Sequence, residues 1–178
     1  MVLAASGSPD QARWKRPLKA IRGSVLALGL IVVLGGTALA TGGHGFSAAI
    51  SSRGTLSEPV HFNTGEVKFQ TKGPVQFIRA QAHFDKSIPG QPVSSSGWHA
   101  HPGVLLVTVV SGSLVVYEAD CSSTTYATGS AFTESGDDAG LVRNESTIDA
   151  AVADVTYIVP AGTKVLRIDK PNPGCPQS

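Results

Sequence analysis

Apolar and polar positions divide this chain into an uncharged block near the N-terminus and a longer body of short alternating runs. Glu66-Val67-Lys68-Phe69-Gln70 alternates with a period of two, and Lys72-Gly73-Pro74 makes a turn after it. Val75 to Phe84 then reads as a longer strand, with Ile78, Ala80, Ala82 and Phe84 on one side and Arg79, Gln81 and His83 on the other. Val104–Val110, the turn Ser111-Gly112 and Ser113–Glu118 predict a hairpin. Leu105-Leu106-Val107 is apolar on both faces, as expected of a strand held between a barrel interior and a second layer. Further strands are predicted at 129–132, 141–144, 150–159 and 163–168. No amphipathic helix of convincing length follows residue 42. Many short strands between Gly and Pro turns predict an all-β barrel or sandwich.

The uncharged block runs from Gly23 to Thr41 (GSVLALGLIVVLGGTALAT). At the rise of an α-helix it would span roughly 28 Å, enough to cross the hydrocarbon core of a bilayer. This single N-terminal hydrophobic helix is expected to serve either as a retained transmembrane anchor or as a signal peptide cleaved near Ala40, after the small-x-small site Ala38-Leu39-Ala40. No cysteine follows the run, which removes a lipoprotein. Residues 1–22 are basic, rich in Ser, Pro and Gly, and expected to be disordered. Residues 42–59 are small and polar and read as a linker, with His44 as a solvated part of it.

Charge supports one orientation and excludes one partner. Arg13, Lys15, Arg16, Lys19 and Arg22 stand against Asp10 before residue 41, leaving nine basic and twelve acidic side chains beyond it, a net of −3. The basic arm should stay inside and the body be exported, so the protein is expected at the cell membrane with its body on the extracytoplasmic side, or secreted. A mildly acidic body has no electrostatic footprint for nucleic acid. Outside the cytoplasm, Cys121 and Cys175 are expected to form a disulfide. Neither has a CxxC partner, and no GxSxG, P-loop or strand-borne GxGxxG occurs.

The chemistry-bearing stretch is Gly97-Trp98-His99-Ala100-His101-Pro102-Gly103. In an extended chain His99 and His101 present two imidazoles from one face, the commonest nucleus of a transition-metal site. This spacing resembles the first signature of the cupin family, a His-x-His followed by a glutamate and then a glycine. His99, His101 and Gly112 match it, while Leu105 stands at the glutamate position. A second stretch is similar to the family's second signature: Gly129, then Ser135-Gly136, with Asn144 at the asparagine position and Gly140 where a ligand histidine is expected. The resemblance covers residues 60–170, leaves a tail at 171–178, and is to small extracytoplasmic cupins of the actinobacterial kind. It implies a double-stranded β-helix, or jelly-roll barrel, with the site inside.

Two of the family's four ligands are thus replaced by groups that cannot coordinate. Asp138, which has the strand parity of position 140, and His83, on the preceding strand, are the candidate substitutes. The expected metal set is His99, His101 and Asp138, with Asn144 joining the histidines as a ligand-binding residue. Two functions remain open. One is a module that holds a small molecule in its barrel, with no cofactor or a weakly bound divalent transition metal. The other is a metal-dependent oxygenase or isomerase whose missing ligands come from elsewhere. The topology can be tested directly. Reporters fused after Ser178 are expected to be active only if they work outside the cytoplasm, and an active cytoplasmic reporter there would reverse the orientation.

Overall fold

The computed structural model describes residues 42–176, all of them strand, turn or loop. In chain order the strands are β1 (Phe46–Leu56), β2 (His61–Asn63), β3 (Lys68–Gln70), β4 (Val75–Phe84), β5 (Ser94–Ser95), β6 (His99–Ala100) and β7 (Val104–Ser111). They continue with β8 (Ser113–Tyr117), β9 (Ser123–Ala127), β10 (Ala131–Ser135), β11 (Leu141–Asn144), β12 (Ala151–Pro160) and β13 (Ile168–Asp169). A five-stranded sheet has the order β1-β4-β12-β7-β10, and a four-stranded sheet the order β5-β11-β8-β9. The pairs β2–β3 and β6–β13 stand apart as two-stranded ribbons. The expected N-terminal helix at 23–41, and with it the membrane reading, lies outside the described residues. Among those residues no helix is long and apolar enough to cross a membrane.

Period-two alternation decides what goes inside. β4 buries Ile78, Ala80, Ala82 and Phe84 and exposes Arg79, Gln81 and His83, as its pattern predicts. From the larger sheet, Leu105, Val107 and Val109 of β7 and Ala151, Ala153 and Val155 of β12 meet Leu114, Val116 and Val142 of the smaller one. Phe84 and Phe132 complete this core. Burial of apolar area at about 25 cal/mol per Å² makes this interior the main support of the fold.

Three expectations need correction. Ser111-Gly112 is not a hairpin turn, because β7 and β8 belong to different sheets and the chain changes sheet at that corner. Gly112 makes the corner possible: its φ is +74°, and a Cβ there would stand 2.6 Å from the Ala150 carbonyl oxygen. The second layer over β7 is also missing among the described residues. Val104, Leu106 and Val110 are 40%, 46% and 45% exposed on its outer side. Finally, the expected linker at 42–59 contains an eleven-residue strand. β1 pairs with β4 from Phe46 opposite Phe84 to Leu56 opposite Val75, with an irregularity between Ile50 and Ser52. As an exposed edge strand it buries little to mark it, though Phe46 packs inward, 4.9 Å from the Phe84 ring.

Cys121 and Cys175 form a disulfide with their Cα atoms 5.4 Å apart, closing a loop of 54 residues. In the chain-entropy model such a bridge contributes about 4 kcal/mol.

Asn144 is fully buried, and its side chain is engaged by backbone rather than aimed into a binding cavity. Its Nδ2 donates to the carbonyls of Asp85 and Asp149 at 3.0 and 2.9 Å, and its Oδ1 accepts from Ser146 N at 3.1 Å. It ties β11 to the ends of β4 and β12, a structural task in place of the expected ligand contact. Asn144→Ala is expected to destabilise the fold by roughly 2–4 kcal/mol in urea unfolding, since buried backbone partners lose their hydrogen bonds. A loss below about 0.5 kcal/mol would show that these bonds carry no weight.

Candidate metal centre

Local backbone structure brings the two histidines inward. Gly97, at φ +72°, turns the chain into β6. His99 then exchanges two backbone hydrogen bonds with Gly140, at 2.9 and 2.8 Å. His101 N donates to the Gly136 carbonyl at 3.2 Å, and Gly136 N to the Gly103 carbonyl at 3.0 Å. The segment 136–140 is thereby fastened along the histidine strand. Both side chains are buried, with ring centroids 4.7 Å apart and planes nearly perpendicular.

Each imidazole is oriented by a carbonyl. His99 Nδ1 donates to Gly97 O at 2.8 Å, and His101 Nδ1 donates to Leu166 O at 2.6 Å. A carbonyl only accepts, so the proton of each neutral ring sits on Nδ1 and the lone pair on Nε2. Both Nε2 atoms face the same carboxylate oxygen, Glu134 Oε2, at 3.5 Å from His99 and 3.1 Å from His101.

Glu134 is the residue that sequence reasoning missed. It lies on β10 directly opposite Leu105 of β7, so the two side chains share a face. A carboxylate thus stands one strand over from position 105. Its signal was in the alternation of Ala131-Phe132-Thr133-Glu134-Ser135, which places Glu134 on the same side as the buried Phe132.

His99, His101 and Glu134 form the one group among the described residues whose donor atoms, all within 4.8 Å of one another, could hold a metal ion. Donors each about 2.1 Å from a common ion would stand 3.1–3.5 Å apart at angles of roughly 95–115°. The separations of the two imidazoles from Glu134 fit that geometry.

The expected substitutes do not join the group. Asp138 is exposed on the loop between β10 and β11 and only borders the neighbouring cleft. His83 is exposed on the outer face of β4, with Nε2 3.1 Å from Gln81 Oε1. Leu105 does point toward the site, as its parity predicts, and lines a small apolar cavity of about 40 Å³ with His99, Glu134 and Tyr157. A polar cleft of about 180 Å³ is bounded by His101, Glu118, Glu134, Asp138 and Gly140.

Electrostatics keep His99 and Glu134 in ligating form. Burial is the largest influence on His99 and lowers its pKa to about 4, against an upward pull from the Glu134 charge. For Glu134 burial pushes upward, but the hydrogen bond that a protonated His101 donates, and the positive charges of protonated His99 and His101 and of Arg167, outweigh it. Its pKa falls below the ordinary carboxylate value. Tyr157, whose ring meets His101 edge-on at 5.7 Å, has its pKa raised by burial and then by Glu134. Near neutral pH the site therefore holds a neutral His99 beside an anionic Glu134.

A pH dependence follows. With His99 near 4 when folded and 6.5 when unfolded, the unfolded chain binds the extra proton between those values. Stability is therefore complete above about pH 6.5 and declines as pH falls toward 4, by roughly 3 kcal/mol for this group. The lowered Glu134 adds a further loss below the ordinary carboxylate range. Urea midpoints of EDTA-treated protein are expected to drop between pH 7 and pH 4.5, with a shallower drop in His99→Gln. An unchanged wild-type midpoint would contradict a buried neutral His99.

No protein-family model matches the chain, and no curated protein matches it. Solved structures do. A protein with a double-stranded β-helix domain from Klebsiella pneumoniae is 15% identical at a TM-score of 0.42, over 64% of this chain and 86% of its own. A Cupin 2 conserved barrel domain protein from Leptotrichia buccalis is 15% identical at a TM-score of 0.39, over 59% of this chain and 41% of its own. An oxalate oxidase is 18% identical at a TM-score of 0.38, over 48% of this chain and 46% of its own, so the chain spans about half that enzyme's length. Several of the solved structures that this chain resembles are described as cupin or double-stranded β-helix domain proteins.

Proposed function

We propose that the barrel binds one divalent transition metal through His99 Nε2, His101 Nε2 and Glu134, and uses it to hold or transform a small polar molecule. The observation that carries this reading is the convergence of two imidazole Nε2 atoms on one carboxylate oxygen, with both Nδ1 atoms already held by carbonyls. Three acceptors facing one point repel one another unless a proton or a cation stands between them. Carbonyl-anchored imidazoles are also the usual surroundings of metal-ligating histidines. Two histidines and one carboxylate leave coordination positions open, as in non-haem iron oxygenases and catalytic zinc sites.

A divalent ion held there would polarise a coordinated oxygen as a Lewis acid. The residues around it divide the work. Leu105 and the apolar cavity exclude water, and the cleft beside His101 and Glu134 admits a small ligand. The third protein donor favours the metal-dependent reading, enzyme included, over a barrel with only two matching ligands. The body is read as exported, anchored through residues 23–41 or released after cleavage near Ala40. The disulfide supports this, because such bonds persist in oxidising compartments.

Full-length protein loaded with Co²⁺, Mn²⁺, Fe²⁺ or Zn²⁺ and then dialysed is expected to retain close to one equivalent of at least one of them. His99→Ala and Glu134→Gln are each expected to lose it, while Asp138→Asn and His83→Ala keep it. Gly140→His should bind more tightly, since a Cβ there meets nothing nearer than the Tyr117 carbonyl at 3.9 Å. Retention unchanged in Glu134→Gln, or wild type that holds no metal, would refute the assignment.

A further inference from the structure

His101 is oriented by a segment far from it in sequence. Leu166, whose carbonyl accepts from its Nδ1, immediately precedes the Arg167 that leads into β13. β13 runs antiparallel to β6, with Ile168 opposite Ala100 and Asp169 opposite His99. Lys170 N then donates to the Trp98 carbonyl at 3.0 Å. Residues 166–170 thus form a strap laid along the histidine strand.

The strap has little hold of its own. β13 joins neither large sheet, and Val165 and Ile168 are exposed. Segments with few buried contacts open at low free energy. What fixes it lies just beyond. Asn172 Oδ1 accepts from the amides of Gly174 and Cys175, and its Nδ2 donates to the Cys175 carbonyl, folding the tail into a turn. Cys175, buried against Trp98, Tyr117 and Leu141, is bonded to Cys121 at the end of the β8 turn. Trp98 precedes His99, so the anchor of the strap and the root of the ligand strand share one small core.

We infer that the Cys121–Cys175 disulfide regulates the metal centre. Closed, it holds residues 166–170 against β6 and fixes the His101 ring; opened, it frees the strap and weakens metal binding. This rests on the metal reading above. The co-reactant is a dithiol. One of its thiolates attacks the bridge to give a mixed disulfide, and its second thiol resolves that intermediate. The dithiol leaves as a disulfide, while Cys121 and Cys175 gain two electrons and two protons as free thiols. Cys121 is the more exposed of the two. It also has φ +68°, the one positive value outside glycine among the described residues, a conformation unfavourable for a residue with a side chain.

The test uses the full-length chain and Co²⁺ as the probe. Oxidised protein, protein reduced with dithiothreitol then alkylated and freed of reductant, and the double variant Cys121→Ser with Cys175→Ser are titrated in parallel. Reduced and double-variant proteins are expected to bind about 10–100-fold more weakly, the range typical when a partner of a ligating histidine is lost. Their visible cobalt absorption should also shift as the His101 ring is released. Ile168→Pro, which disrupts the pairing of β13 while leaving the bridge intact, should reproduce the loss. Amide hydrogen exchange should show β4, β7 and β12 still protected, with new exchange confined to the strap and tail. Equal affinity of oxidised and reduced protein, or an Ile168→Pro variant that binds like wild type, would overturn the inference while leaving the metal site standing. Protection lost throughout the barrel on reduction would overturn it too, the bridge then being a staple of the whole fold. Oxidised protein that binds no Co²⁺ would instead refute the metal reading itself.

Discussion

A neutral imidazole has two nitrogens and one proton, and the candidate site depends on where that proton sits. In both His99 and His101 it points away from the centre, toward a backbone carbonyl. In the neutral rings the inward nitrogens are left as acceptors beside an anionic oxygen. Had either ring been turned over, the same three residues would form an ordinary hydrogen-bonded cluster needing no cation. The carbonyls of Gly97 and Leu166 therefore matter as much as the ligands. One is supplied by the turn that starts the histidine strand, the other by a strap from the far end of the chain.

The position of the carboxylate shows how a sheet tolerates such a change. Residues directly opposite in an antiparallel pair lie about 4.5–5.5 Å apart and point the same way. A carboxylate on β10 opposite Leu105 can thus reach nearly the space that one at position 105 would fill. Leu105 is then free to pack in the apolar core with Val107 and Phe132.

How much of this was legible depends on which face an element turns to the core. β4, β7 and β12 bury one face each, so their apolar positions show in the sequence. The cysteine pairing followed from two cysteines in a body read as exported. β1 escaped because an exposed edge strand rich in Ser and Ala buries little, and its pairing is made by backbone groups that every residue carries. Glu134 was passed over because a carboxylate beside a turn is usually solvated, and only the register with β7 brings it to the histidines. The corner at Gly112 reads like a hairpin, since a positive-φ glycine serves both, and sheet membership is decided by distant strands. Asn144 stood at a family motif position that invited a ligand role, yet its partners are backbone atoms that no composition reveals.

The strand order has a consequence for how the molecule is made. β12 lies between β4 and β7, although it follows both by a long stretch of chain. Neither of the earlier strands can complete its ladder on that side until residues 151–160 have left the ribosome. Such distant pairings carry a large loop-closure entropy and fold slowly. The nascent chain must therefore carry the apolar edges of β4 and β7 unpaired for much of its synthesis. The His101 anchor at Leu166 comes later still, so the site is finished only after the strands of both large sheets have been made.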